Sequence, residues 1–266
     1  MEPLTLEERK QISLEILRKI DAVCRKHQIP YYMAYGSLLG AVRHQGFIPW
    51  DDDIDIWVPV TVYSKFVKAM EKFTSYEILS WRKPESGWMD SFVKISDSRT
   101  SVQRADGRDS VRRGIAIDVF PLMYYGDETW TKQILAYNLD VQRLITYQYD
   151  LFPPSKVRPA LKAYCKMQQL LGHDVYERNR RIWSLAKKNQ SGEFCGCPVS
   201  IYKTKDRFRS ECFAETEEVT FEGYHFLAPK LYKEVLTNLY GDFMQLPPVE
   251  KRISNHDVVV YWNDSN

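Results

Sequence analysis

FIPWDDDIDIWVP (Phe47 to Pro59) puts four aspartates into the five positions 51 to 55 and then turns apolar. IDIWV, Ile54 to Val58, reads as a short apolar strand. Along a strand, residues two apart share a face. Asp53 and Asp55 would then set their carboxylates side by side, while Asp52 and Ile54 point the other way. Adjacent carboxylates repel, so one takes a proton or a cation bridges them. All-oxygen donors suit Mg²⁺ or Mn²⁺, and a bound divalent ion can hold phosphate oxygens. Plainer readings are a solvated loop, a structural calcium site, or Asp51 and Asp52 capping the turn after Trp50. The calcium reading lacks the EF-hand spacing, with no Gly at the sixth loop position and no Glu at the twelfth.

Upstream, Thr5 opens T-L-E-E with Glu8 three residues on, a capping-box pattern. Ile12, Ile16, Leu17, Ile20, Val23 and Cys24 follow at helical spacing, predicting a helix from Leu6 to His27. YYMAY (Tyr31 to Tyr35) reads as a strand, Gly36-Ser37 as a turn, and LLGAVRH as a short helix. A Gly-Ser turn at a helix start offers backbone N–H groups to a phosphate, and the Ser37 hydroxyl adds a donor. Strand, Gly-Ser, helix, then a strand bearing Asp-x-Asp is the layout of the nucleotidyltransferase fold. A third carboxylate is expected from a later strand. Asp118 in GIAIDVF (Gly114 to Phe120) fits, because alternation puts Ile115, Ile117 and Val119 on the opposite face. An acid inside so apolar a strand is costly unless it binds something.

Further strands are predicted at YEILSW (Tyr76 to Trp81), FVKI (Phe92 to Ile95) and Glu217 to Phe221. Helical spacing covers Val60 to Phe73, most of Asp127 to Lys188 around FPPSKVRP, and a stretch near Pro229 to Tyr240. ADGRDSVRR (Ala105 to Arg113) reads as a polar loop, and YGDFMQLPPVEKRISNHD as an irregular tail. The expectation is an α+β fold, a nucleotidyltransferase-like mixed sheet flanked by helices, with a helical subdomain. Its divisions are a catalytic core over 1–125, the helical subdomain over 126–190 and a C-terminal α+β segment over 191–266 that packs back on the core. The formal net charge of +2, with no obvious basic stripe of the extent nucleic acid calls for, argues against nucleic acid as a partner. The chain has no apolar run of membrane-spanning length, and its polar start lacks the pattern of a signal peptide. A cytoplasmic location is expected. Five scattered cysteines suit reduced thiols. Cys195-Gly-Cys197 with Cys212 and His225 is a weak zinc pattern.

YGSLLGAVRHQGFIPWDDDIDI (Tyr35 to Ile56) resembles the signature of the LicD family of phosphocholine transferases, more distantly related to fukutin and fukutin-related protein. IAIDVFPL (Ile115 to Leu122) resembles that family's second motif, and FVKISDSRT (Phe92 to Thr100) and YGDFMQLPPVEKR (Tyr240 to Arg252) are similar to LicD segments. The resemblance implies transfer of phosphocholine from CDP-choline to a sugar hydroxyl, with release of CMP. It implies acceptors of the teichoic acid or lipopolysaccharide type, lipid-linked or oligosaccharide, and hence peripheral contact with the inner membrane face. Fukutin-like relatives imply CDP-ribitol instead, and nothing in the sequence fixes choline over ribitol or glycerol.

Within this frame Asp53, Asp55 and Asp118 are the candidate ligands for one or two Mg²⁺. Asp118, or else Asp51, would take the acceptor proton. Gly36 and Ser37 would meet the phosphates. Arg43 and His44 either face the phosphates or lie on the surface, and Lys94 either contacts a phosphate or snorkels. Lys251, Arg252 and His256 either fold back over the donor or are solvated tail charges. A quaternary ammonium calls for aromatic rings, for which Trp50, Trp57, Trp81, Trp88, Tyr124 and Tyr125 are available. Two competing classes are a true nucleotidyltransferase, which would release pyrophosphate, and a non-catalytic nucleotide-binding module.

Overall fold

The computed structural model describes residues 2–73, 75–104, 113–149, 151, 157–202, 205–252 and 258–263. It is an α+β fold. The main sheet has the strand order β1-β2-β6-β4-β3. In chain order these are β1 (Tyr32–Met33), β2 (Ile54–Pro59), β3 (Tyr76–Leu79), β4 (Val93–Asp97) and, after β5 (Thr100–Arg104), β6 (Ala116–Tyr124). β2 and β6 run parallel at the centre. β4 lies antiparallel to β6, β3 to β4 and β1 to β2. The far end of β6 also pairs with β7 (Phe194–Gly196), which pairs with β8 (Phe208–Arg209).

α1 (Leu6–His27) covers one face of the sheet, against β4 and β6. Its start is fixed by the reciprocal Thr5–Glu8 capping box, and its end by Gln28 in a left-handed conformation at φ 51°. Acids in its first turn and bases in its last both suit the helix dipole. Ile16, Leu17 and Ile20 are fully buried, each contributing about 1.5–3 kcal/mol by removal from water. The inner face of the central strands is equally apolar, with Ile54, Ile56, Val58, Ile117 and Val119 buried. Their alternate residues, Asp55 and Asp118, therefore face the other way.

A helical layer and a C-terminal segment complete the fold, and of these Asn138, Gln142 and Tyr240 share a cleft with the two acids. The helices are α4 (Glu128–Gln148), α5 (Arg158–Leu170) and α6 (Val175–Lys188). β9 (Thr216–Phe221) and β10 (Tyr224–Pro229) form a hairpin against β1, and α7 (Tyr232–Tyr240) follows. β11 (Val258–Trp262) pairs antiparallel with β5.

Several expectations need correction. The strand expected over Tyr31 to Tyr35 is only Tyr32–Met33, and Gly36-Ser37 is no turn. α2 (Tyr35–His44) begins at Tyr35, so both residues lie in its first helical turn. The reversal falls on Tyr35 itself, which holds a left-handed φ of 43°. The helix expected over Val60 to Phe73 is shorter, α3 (Tyr63–Met70). β5, β7, β8 and β11 were not expected, being short strands that exist only through distant partners. Of the polar loop at Ala105 to Arg113 only Arg113 is described, bridged to Val102.

Candidate functional site

Across β2, β6 and β4 the pairing register sets Asp55 opposite Asp118, and Asp118 opposite Lys94. Neighbouring strands lie about 4.8 Å apart, so the three side chains form a row on one face. Lys94 forms an ion pair with Asp118, and its ammonium lies 5.0 Å above the Trp88 ring. Asp53 immediately precedes β2. Burial first, and the charges of Asp53 and Asp118 next, hold the Asp55 carboxyl well above the usual carboxylate range.

These acids line a cleft of about 680 Å³, within the usual range for small-ligand sites. Asp51, Asp53, Asp55 and Asp118 occupy its floor, with Tyr35 and Gly36 from the start of α2. Asn138 and Gln142 come from α4, Val199 to Tyr202 from the loop after β7, and Tyr240 from the end of α7. Asp53 and Asp118 also line a second cavity of about 150 Å³, where Arg9, Lys94 and Arg113 supply positive charge.

α2 is aimed by its own sequence. Its first turn contains no acid, and its first N–H groups have no intrahelical acceptors. A Cβ at Gly36 would lie 3.3 Å from Asp51 Oδ2, so glycine lets this carboxylate come up against the helix start. A Cβ at Gly40 would lie 2.4 Å from the Gly46 carbonyl, which keeps α2 tight against the chain leading to the aspartates. Ser37 is buried, and its hydroxyl accepts the Asp55 N–H at 2.8 Å. Tyr35 packs against Trp57, Phe120 and Tyr202 and donates its hydroxyl to Asp206. Those contacts hold a backbone conformation that costs of order 1–3 kcal/mol.

Other candidates lie outside the cleft. Arg43 donates to the carbonyls of Phe243 (2.9 Å) and Gln245 (3.4 Å), pinning the segment after α7. His44 accepts from Arg43 Nε at 3.0 Å and faces the Trp50 ring. Arg252 bonds the Pro247 carbonyl at 2.8 Å, and its guanidinium lies 5.9 Å from the Trp50 ring centre. His256 falls outside the described residues. Of the rings considered for choline, Trp57, Trp81 and Tyr125 are buried in the core, Trp88 is buried beside Lys94 and Phe92, and Trp50 and Tyr124 are half-buried away from the cleft lining. Tyr35, Phe92, Phe120, Tyr202 and Tyr240 line the cleft instead. Phe92 and Phe120 stand two residues from Lys94 and Asp118, so strand alternation alone would have found them. Asp90, Asn138 and Tyr202 carried no such signal. Asp90 takes a hydrogen bond from Gln142 at 2.7 Å, and burial pushes its carboxyl above the usual range.

Among the described residues no three carboxylate, imidazole or thiolate groups converge as a metal-ligand set; Asp118 is drawn to Lys94 instead. The donor chemistry still fits a hard divalent cation, since the floor offers only carboxylate oxygens and those of Asp53, Asp55 and Asp118 repel one another. The five cysteines are buried free thiols.

Residues 28–166, from the turn after α1 into α5, match the family LicD/FKTN/FKRP, nucleotidyltransferase domain. This chain belongs to the LicD family. It is 30% identical over 264 residues to the lipopolysaccharide cholinephosphotransferase LicD of Haemophilus influenzae, covering 96% of this chain and 97% of that relative. Shorter likenesses reach uncharacterised proteins of Rickettsia typhi, 44% identical over 54 residues, and Rickettsia prowazekii, 45% over 51. These cover 20% and 19% of this chain, and 18% and 19% of those proteins.

Proposed function

We infer that this LicD-family protein is a phosphotransferase that moves phosphocholine from CDP-choline to a hydroxyl of a cell-surface glycan, releasing CMP. The observation that carries the reading is the facing pair Asp55 and Asp118 in a cleft that also holds the start of α2. The end-to-end similarity to a lipopolysaccharide cholinephosphotransferase supports the transferred group and the glycan acceptor. Ribitol or glycerol phosphate donors, and nucleotidyl transfer, are the readings to be tested against it.

Phosphoryl transfer needs positioning and charge neutralisation more than covalent chemistry. Asp53, Asp55 and Asp118 would hold Mg²⁺ or Mn²⁺, which when bound supplies charge neutralisation at the pyrophosphate. The α2 N–H groups at Gly36 and Ser37 orient phosphate oxygens. Lys94 sets the position of Asp118, and Asp118 accepts the proton of the attacking hydroxyl, with Asp51 the second candidate. Asn138 Oδ1 is buried on the cleft wall without a hydrogen-bond partner. Its amide nitrogen donates to the Val199 carbonyl at 3.4 Å, so the oxygen is free to accept from the exocyclic amine of cytosine. Phe92, Phe120 and Tyr202, with the Asp90 carboxylate, suit a quaternary ammonium.

The test is donor labelling. CDP-choline carrying one label on cytidine and another on choline is incubated with protein, Mg²⁺ and choline-free lipopolysaccharide. Only the choline label moves to the glycan on this reading. Movement of the cytidine label would replace it with nucleotidyl transfer.

A further inference from the structure

α5 is an outlying helix. It docks on α4 through Cys165, whose thiol meets the Arg143 carbonyl, and through Tyr164, which donates to Asp140 at 2.7 Å, while buried Gln168 accepts from Arg178 of α6. Its outward side is apolar. At 3.6 residues per turn, Pro159, Ala160, Ala163, Met167, Leu170 and Leu171 share an arc of roughly 120°, and all six are exposed. Leu170 is 80% exposed and Leu171 62%. Isolated exposed leucines are ordinary, but an unbroken apolar arc marks an interaction surface.

The charge beside the arc identifies the occupant. Arg158, Lys162 and Lys166 recur at four-residue spacing and form a stripe along one edge of it. From Leu151 to His173 the sequence contains no Asp or Glu. An apolar arc edged by a basic stripe is the form of a helix that lies in a membrane interface, and its bases favour anionic headgroups. No helix among the described residues is long and apolar enough to cross a membrane, so α5 offers surface contact. α4 contributes Asn138 and Gln142 to the cleft wall, which sets the arc one helix away from the cleft. We propose that α5 docks this protein on anionic lipid bilayers through its Met167–Leu171 apolar arc and its basic edge.

Vesicle flotation of the full chain tests this. The wild type floats with phosphatidylglycerol-containing vesicles, less with pure phosphatidylcholine, and less again as salt rises. L170N/L171N lowers the partition coefficient roughly ten-fold or more, with an unchanged thermal melt because both side chains lie in solvent. L170M/L171I keeps the binding. Three results would overturn the proposal: no flotation of the wild type on anionic vesicles, equal flotation of L170N/L171N, or a lipid-free dimer that L170N/L171N dissociates in a protein that ignores vesicles.

Discussion

Asp55 and Asp118 face each other across the parallel pair β2 and β6, 63 positions apart in sequence and adjacent in register. Their juxtaposition opposes folding, since burial first, and the neighbouring charges of Asp53 and Asp118 next, disfavour the charged form of Asp55. Replacing Asp55 with Asn is therefore expected to raise the metal-free melting temperature by about 2–4 °C, the shift for roughly 1 kcal/mol in a chain of this size. Mg²⁺ should raise the melting temperature of the wild type and leave Asp55→Asn unmoved. A variant that melts lower than the wild type without metal would mean the acid is a structural partner.

Asp206 gives a pH signature away from the acids. It is buried, bonded by the Tyr35 hydroxyl and by the Cys197 N–H at 3.0 Å, and burial pushes its carboxyl from 3.8 up to about 6. Between these values the folded chain keeps a proton that the unfolded chain gives up. The group's contribution is full below pH about 4 and lost by pH about 6, a fall of about 3 kcal/mol. Denaturant titrations of wild type and Asp206→Asn should diverge over that window, the wild type losing ground as pH rises. Parallel curves would count against the raised carboxyl.

Arg43 tests whether a cation in the motif serves phosphate or fold. Its bonds go to the carbonyls of Phe243 and Gln245, and hydrogen bonds from charged groups contribute about 1.5–3 kcal/mol. Arg43→Ala should speed proteolysis between Gly241 and Pro248 and lower stability by roughly 1–2 kcal/mol, reduced for its partial exposure. Donor KM should stay within about two-fold. A large rise in KM with unchanged proteolysis would return Arg43 to the phosphates.

The aromatic wall bears on donor choice. Cation–π contacts contribute about 0.5–2 kcal/mol. Tyr202→Leu and Asp90→Asn should then raise KM for CDP-choline roughly three- to thirty-fold, with much smaller changes for CDP-glycerol. Equal losses for both donors would assign these residues to the nucleotide or to the fold.

The parts legible in the sequence are those written in local pattern. α1 appears with its predicted bounds because its cap and apolar stripe lie within its own residues. The outward side of Asp118 followed from alternation with Ile117 and Val119. What could not be read depends on long-range partners. β5 finds β11 across more than a hundred residues, and Arg43 meets carbonyls 200 positions away. The left-handed Tyr35 was hidden because tyrosine seldom adopts that conformation. Its packing against Trp57, Phe120 and Tyr202 holds it there, and those residues come from three separate segments.

The most direct test of the central claim is release of CMP from CDP-choline by the purified protein, with and without Mg²⁺, beside Asp118→Asn. The account predicts slow release with Mg²⁺, none with chelator, and a loss of about a thousand-fold in the variant, the scale on which catalytic groups act. Release that persists without metal or in Asp118→Asn would contradict it.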